Sequence, residues 1–348
     1  MSLNKRVDDW FLGFNTRSIA SKRESFKPVA TSKKNSRPRK GLKAGTGLTN
    51  LKAAALKHPE VMVKIPKRIS DASKGMHGVC NHLDYISRNG ALELESHDGE
   101  ILNGKNAYMK MAHDWKKLGI PDDSKHREAL NVVLSMPKGT NPEAVKNAAR
   151  EFAAEQFEGH QYLFTLHTDQ PHPHVHLCVL MRDEFGQRMN PRKNDLFEWR
   201  VRFAEKMREQ GVACAATRRQ HRGVTRKGDP SIPRHIHSQQ RDSYVYRQQA
   251  KELAEALKNS QRPKHPFLQE AMQTRGFIAS EYKSISKELY KMGLKTEAHI
   301  VSKLASEVRQ ADFNTHMQQA YDDRTRSQVD LVEHTAASNI NQDEDIER

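Results

Sequence analysis

With 348 residues, 29% of them charged, and a formal net charge of +15, the chain can form one domain of about 170 residues plus extensions, and it is expected to meet a polyanion. No apolar run approaches the ~20 residues of a membrane span, and the opening MSLNKRVDDWFLGF has no apolar secretory core, so the expected location is the cytoplasm. Three widely separated cysteines, Cys80, Cys178 and Cys214, argue against a disulfide framework and against a cysteine zinc site.

The charge is unevenly spread. Residues 1–58 carry 14 Lys or Arg against Asp8, Asp9 and Glu24, a net +11, which leaves +4 for the rest. Between Ser18 and Thr49 there are too few apolar groups to fold alone, so 1–58 reads as a basic, largely disordered arm. Its cluster Lys33, Lys34, Arg37, Arg39, Lys40 and Lys43 would neutralise phosphates without reading bases, and a solvated tail is compatible with that role. Asp8 to Phe14, DDWFLGF, is more apolar than its surroundings and reads as a short docking helix for a partner.

Val61 to Ile65 predicts a first strand, ended by Pro66. Asp71 is placed to cap a helix running to about Arg88, where Asn89 and Gly90 suit a left-handed C-terminal turn. Met76, Val79, Cys80 and Leu83 form its core stripe. Tyr85 lies about 180° round from that stripe, so core packing does not explain a tyrosine there. Arg88, one helical step on, is placed to hold a phosphate. A short strand over 92–95, a helix over 106–118 and a central strand over 128–136 follow, and Asn141 with Pro142 opens a long helix ending near Phe157. Lys138, Thr140 and the N-terminus of that helix are candidate phosphate donors, although strand, proline and helix cap occur in many folds.

Residues 162–166 and 174–180 are apolar and β-prone, with turn residues between them, and predict a hairpin with a long polar loop. Alternation along a strand points His174 and His176 to one face, while Val175 and Leu177 point to the other; His167, ending the incoming strand, can lie across from them. Three neutral imidazoles with no acid among them would hold a divalent cation and leave its charge largely uncompensated, which favours an anionic ligand such as a phosphodiester. Asp169 is placed to orient one of these rings through the N–H facing away from the metal. His172, in the loop, is a weaker ligand candidate.

Residues 195–210 form an amphipathic helix with Phe197, Val201, Ala204 and Met207 inward. TRRQHRGVTRKGD follows, and its Arg218, Arg219 and Arg222 are candidate contacts to a DNA backbone; a solvated charge run is the bland alternative. From about His237 to His316 helices are expected near 238–259, 266–274, 278–292 and 295–311, with apolar residues too sparse for a second large core. The end, NQDEDIER, reads as an acidic disordered tail.

HTDQPHPHVHL resembles the third motif of the plasmid mobilisation relaxases, HUH-superfamily nucleases of the type that includes the T-DNA border endonuclease. The resemblance makes His167, His174 and His176 the metal ligands. NHLDYISRNGALELE resembles the family's first motif and makes Tyr85 the nucleophile; a phenol is protonated at neutral pH, so it must lose its proton to a base or enter the field of the metal and its phosphate. LNVVLSMPKGT resembles the second motif and gives Ser135 a role in holding DNA. Asn131 stands where some members carry a histidine, which leaves that position open.

The implied fold is an α+β sandwich, a central antiparallel sheet with helices packed against it. The expected organisation is an arm over 1–58, a nicking domain over 59–225, a helical accessory region over 226–334 and a tail over 335–348. The implied activity is metal-dependent, site- and strand-specific nicking of origin-of-transfer DNA through a 5′-phosphotyrosyl adduct, with Mg2+ or Mn2+ as the ion. The implied partners are single-stranded origin DNA, relaxosome accessory proteins and the coupling protein of a type IV secretion system. The alternatives are a replication initiator or transposase with the same chemistry, a phosphodiesterase using water, and a nucleic-acid-binding protein with a structural metal. In the last case chelation would unfold the domain.

Overall fold

Period-two alternation in the three longest strands dictates what each face of the sheet carries, and the computed structural model describes the result for residues 2–12, 42–66, 75–224, 236 and 243–327. The strands are β1 (Met62–Lys64), β2 (Leu94–Ser96), β3 (Ile101–Leu102), β4 (Ala129–Ser135), β5 (Tyr162–His167) and β6 (His174–Leu180). They form one six-stranded sheet in the order β1-β4-β6-β5-β2-β3 with every pair antiparallel. The hairpin predicted from the histidine motif is its centre, and β6 is flanked on both sides.

Helices cover both faces of this sandwich. Leu130, Val132, Leu134, Val175, Leu177, Val179 and Phe164 point to one face, against α5 (Pro142–Gln156) and α6 (Lys193–Glu209), with Phe152, Phe203 and Met207 between them. Phe152 meets Phe157 and Phe203 edge-on; truncation of such a buried ring costs about 3–5 kcal/mol. Leu163, Cys178 and Leu180 point to the other face, against α3 (Met76–Ile86) and α4 (Gly104–Lys117), packing with Val79, Leu83, Ile86, Tyr108 and Trp115. The stripe expected on α3 is the one buried, extended by Ile86. The Asp71 cap lies outside the described residues.

The described chain through Thr217 forms one unit and that from Arg218 onward a second. The expected arm is ordered at both described ends. Leu3–Val7 is a helix (α1) continued by a π-helical turn at Asp8–Leu12, and α2 spans Thr46–Ala55. The carboxylate of Asp8 accepts from the backbone N–H groups of Gly45 (2.7 Å) and Gly47 (2.6 Å), the otherwise unpaired donors at the start of α2. Val7, Trp10 and Phe11 are buried. The docking partner expected for DDWFLGF is therefore the chain's own α2, reached by apolar burial that a count of charges does not register. Lys43 pairs with Glu205 and Glu209; Lys33, Lys34, Arg37, Arg39 and Lys40 lie outside the described residues.

In the second unit α7 (Tyr244–Lys258) precedes α8 (Leu268–Lys291) and α9 (Lys295–Gln310), and a further helix spans 316–327. The two helices expected at 266–274 and 278–292 are one helix. Gly276 lies between them, where a Cβ would meet nothing within 4 Å, and the helix runs straight through it. Ile278, Tyr282, Ile285 and Leu289 bury against Ala298, Val301, Leu304 and Val308 in a helical hairpin. Among the described residues no helix is long and apolar enough to cross a membrane.

Candidate metal centre and nucleophile

Register fixes the histidines. His167 pairs directly with His174 across β5 and β6, and Thr165 pairs with His176, so all three imidazoles leave the same face, His176 two residues and the His167–His174 pair four residues beyond the apolar pair Leu163–Cys178. One ligand nitrogen from each lies within 4.8 Å of the others. Ring centroids are 4.6 Å apart for His167 and His176, 5.1 Å for His174 and His176, and 5.2 Å for His167 and His174. His172 is exposed and does not join them.

Two of the three tautomers are set by backbone carbonyls. His167 Nε2 lies 2.7 Å from the carbonyl oxygen of Ile86; a carbonyl only accepts, so this nitrogen donates and Nδ1 keeps the lone pair. His174 Nδ1 donates to the His172 carbonyl (3.1 Å), leaving Nε2 free. Burial, reinforced by the neighbouring histidines and Arg88, pushes the His176 imidazole down to about 3. Burial also lowers His167, against the opposing pull of its bond to Ile86. Three imidazoles with ligand nitrogens gathered at one point, two of them disfavoured as cations by burial, suit a divalent cation.

The low value for His176 has a checkable sign. The folded chain resists protonating this ring until about pH 3, whereas the unfolded chain takes the proton near 6.5. The unfolded state therefore binds more protons in that window, and stability falls as pH drops from about 6.5 towards 3. In EDTA, His176→Met should flatten that part of the melting-temperature profile relative to the parent. Parallel profiles from pH 7 to 4 would contradict this.

Tyr85 sits one residue before the end of α3, 55% exposed. On a straight helix it faces away from the sheet, yet its ring meets His176 edge-on at 5.8 Å, because the histidines lie beyond the end of α3 and not beneath its middle. The His82 ring is 6.5 Å from the phenol ring and nearly parallel to it. Sequence reasoning passed over His82, although its i, i+3 spacing to Tyr85 is the signal that places them together.

The turn after α3 is the most constrained backbone near the site. Arg88, Asn89 and Gly90 have φ of 54°, 56° and 91°, the left-handed end expected there. A Cβ on Gly90 would lie 2.5 Å from the backbone nitrogen of Lys105. Gly90→Ala thus combines an unfavourable φ with a backbone clash and should cost about 2–4 kcal/mol in urea unfolding. A loss below about 0.5 kcal/mol would show that the turn yields easily.

Asp169 is a correction. It was expected to accept from a ligand imidazole, but it binds Arg88 Nη2 at 2.5 Å, and the ring N–H of His167 goes to Ile86. The physical reason is competition. A guanidinium is the stronger partner for a carboxylate, while the last carbonyls of a helix lack intrahelical donors and accept what is near. Desolvation opposes ionisation of Asp169, but the bond and charge of Arg88 outweigh it and hold the carboxyl below its ordinary range.

The remaining predicted residues divide. Ser135 ends β4 directly across from His174, on the histidine face. Lys138 is exposed in the loop that follows, and the Thr140 hydroxyl donates to the Pro137 carbonyl (2.9 Å). Asn131 shares the face, paired with Cys178, and its buried side-chain oxygen has no hydrogen-bond partner among the described residues. Arg218, Arg219 and Arg222 belong to the second unit, half-buried around a short 3-10 turn whose His221 carbonyl accepts from the Tyr282 hydroxyl (2.9 Å).

The sheet thus brings three imidazoles together beside an exposed tyrosine. Residues 85–212 match the family model described as "Relaxase: MobA/VirD2-like, nuclease domain". Tyr85 opens that matched stretch, and all three histidines lie within it.

The T-DNA border endonuclease VirD2 of Agrobacterium fabrum is 31% identical over 176 residues, covering 44% of this chain and 39% of that protein. Those of Rhizobium radiobacter and Rhizobium rhizogenes are each 30% identical, over 176 and 173 residues, covering 44% of this chain and 41% and 39% of theirs. The chain thus spans about two fifths of the length of these relatives. No solved structure matches.

Proposed function

We propose that the protein nicks one strand of an origin-of-transfer DNA by tyrosine transesterification and carries the cut end on Tyr85. The observation that supports this best is the edge contact of the Tyr85 ring with His176, one member of the imidazole cluster. Tyr85 Oη attacks the phosphorus, the bond to the 3′ oxygen breaks, and that oxygen leaves as a free 3′-hydroxyl. One phosphodiester replaces another, so attack by the 3′-hydroxyl in reverse reseals the strand.

His167, His174 and His176 would hold a divalent cation, Mg2+ or Mn2+. Such an ion supplies positive charge to the phosphoryl oxygens as negative charge gathers there. Arg88 offers a planar fork to a phosphate, and Asp169 keeps that fork aimed. Ser135 and Lys138, at and just after the end of β4, are placed to bind the flanking backbone.

The same reading makes relaxosome accessory proteins and a type IV secretion coupling protein the macromolecular partners, with nicking in the cytoplasm and transfer of protein with DNA. The test is incubation with single-stranded DNA spanning a candidate origin and with Mg2+ or Mn2+, followed by a denaturing gel. A protein–DNA adduct that vanishes in EDTA is expected. Cut strands bearing free 5′-phosphates, with no adduct, would make water the nucleophile and overturn the proposal.

A further inference from the structure

One guanidinium reaches the acid, one imidazole and the tyrosine of this site. Arg88 Nη2 is 2.5 Å from Asp169 and 3.3 Å from His167 Nδ1, and the guanidinium carbon is 5.4 Å from the centre of the Tyr85 ring. The backbone that aims it is left-handed, a conformation a non-glycine residue keeps only where its surroundings fix it. His167 Nε2 is committed to the Ile86 carbonyl, so Nδ1 carries the one free lone pair of that ring. A lone pair in the ring plane accepts the N–H of Arg88 or binds a cation; it does not do both. The fixed positive charge beside it opposes a second positive charge.

We infer that Arg88 and the metal ion are alternatives on His167 Nδ1, and that Arg88, tethered by Asp169, couples ion binding to substrate binding by moving from the imidazole to a DNA phosphate. This rests on the reading of the three histidines as a metal centre. Ion binding releases the guanidinium from His167, and the fork it frees fits a phosphodiester oxygen pair. The linkage is reciprocal: a phosphate that draws Arg88 away raises affinity for the ion by the factor by which the ion raises affinity for the phosphate. The site therefore fills with both together. Tyr85, beside the same guanidinium, meets a phosphate at the moment the charge needed for its reaction is in place.

The test reads metal affinity, not turnover. Mn2+ binding to the full chain, without DNA, is measured by electron paramagnetic resonance for the parent, Arg88→Met and Arg88→Gln, with thermal melting to confirm folding. About tenfold tighter binding is expected in Arg88→Met, with Arg88→Gln shifted the same way. Equal or weaker binding in a folded variant overturns the inference. In a Tyr85→Phe background, a 20-residue poly(dT) should tighten Mn2+ binding several-fold when Arg88 is present and hardly at all in Arg88→Met; equal tightening in both also overturns it. His176→Ala separates the two levels, because parental Mn2+ affinity in that variant refutes the metal centre itself and not the coupling.

Discussion

Tyr85→Phe is expected to abolish the covalent DNA adduct, a fall of about 10^4-fold or more on the scale that follows removal of a covalent nucleophile, while leaving melting temperature and Mn2+ affinity at parental values. The substitution deletes one oxygen from a side chain that is 55% exposed and keeps the ring contacts with His176 and His82. Changes at such a position stay within about 0.5 kcal/mol. The measurement is the denaturing-gel assay alongside a melt and a metal titration. An adduct of parental yield in Tyr85→Phe would move the nucleophile elsewhere. A matching loss of Mn2+ binding would mean that the phenol oxygen belongs to the metal centre.

His167→Ala and His174→Ala should both lose Mn2+ binding by about 100-fold or more, since each removes a ligand where even an outer partner is worth 10–100-fold, and both should abolish the adduct. They differ in stability. His174 donates to a carbonyl in the exposed loop, whereas His167 ties the end of α3 to the sheet through the Ile86 carbonyl. Loss of the latter leaves a buried acceptor unpaired and should cost about 1–3 kcal/mol more than loss of the former. Chemical denaturation of the two variants in EDTA decides the point, and equal destabilisation would show that the Ile86 bond contributes nothing to holding the tyrosine's helix.

What was readable in the sequence follows from periodicity. Two-residue alternation put His174 and His176 on one face, and the core stripe of α3 left Tyr85 off it, as the structure has them. What was not readable depends on groups that leave no trace in side-chain pattern. The Ile86 carbonyl that sets the His167 tautomer is backbone, and every residue has one. Asp169 had two suitable partners, an imidazole close in the chain and a guanidinium across the fold, and the pairing with Arg88 depends on the turn after α3 that brings the guanidinium within reach. The placement of β6 between β4 and β5 rests on pairing between strands far apart in the chain, which local propensity does not encode.

The outward setting of Tyr85 carries one further consequence. Under the proposed reaction a phosphotyrosyl bond formed there would face water, so its lifetime would rest on how poorly a water molecule can be lined up behind the phosphorus. The same exposure would leave room for a foreign 3′-hydroxyl to approach the bond.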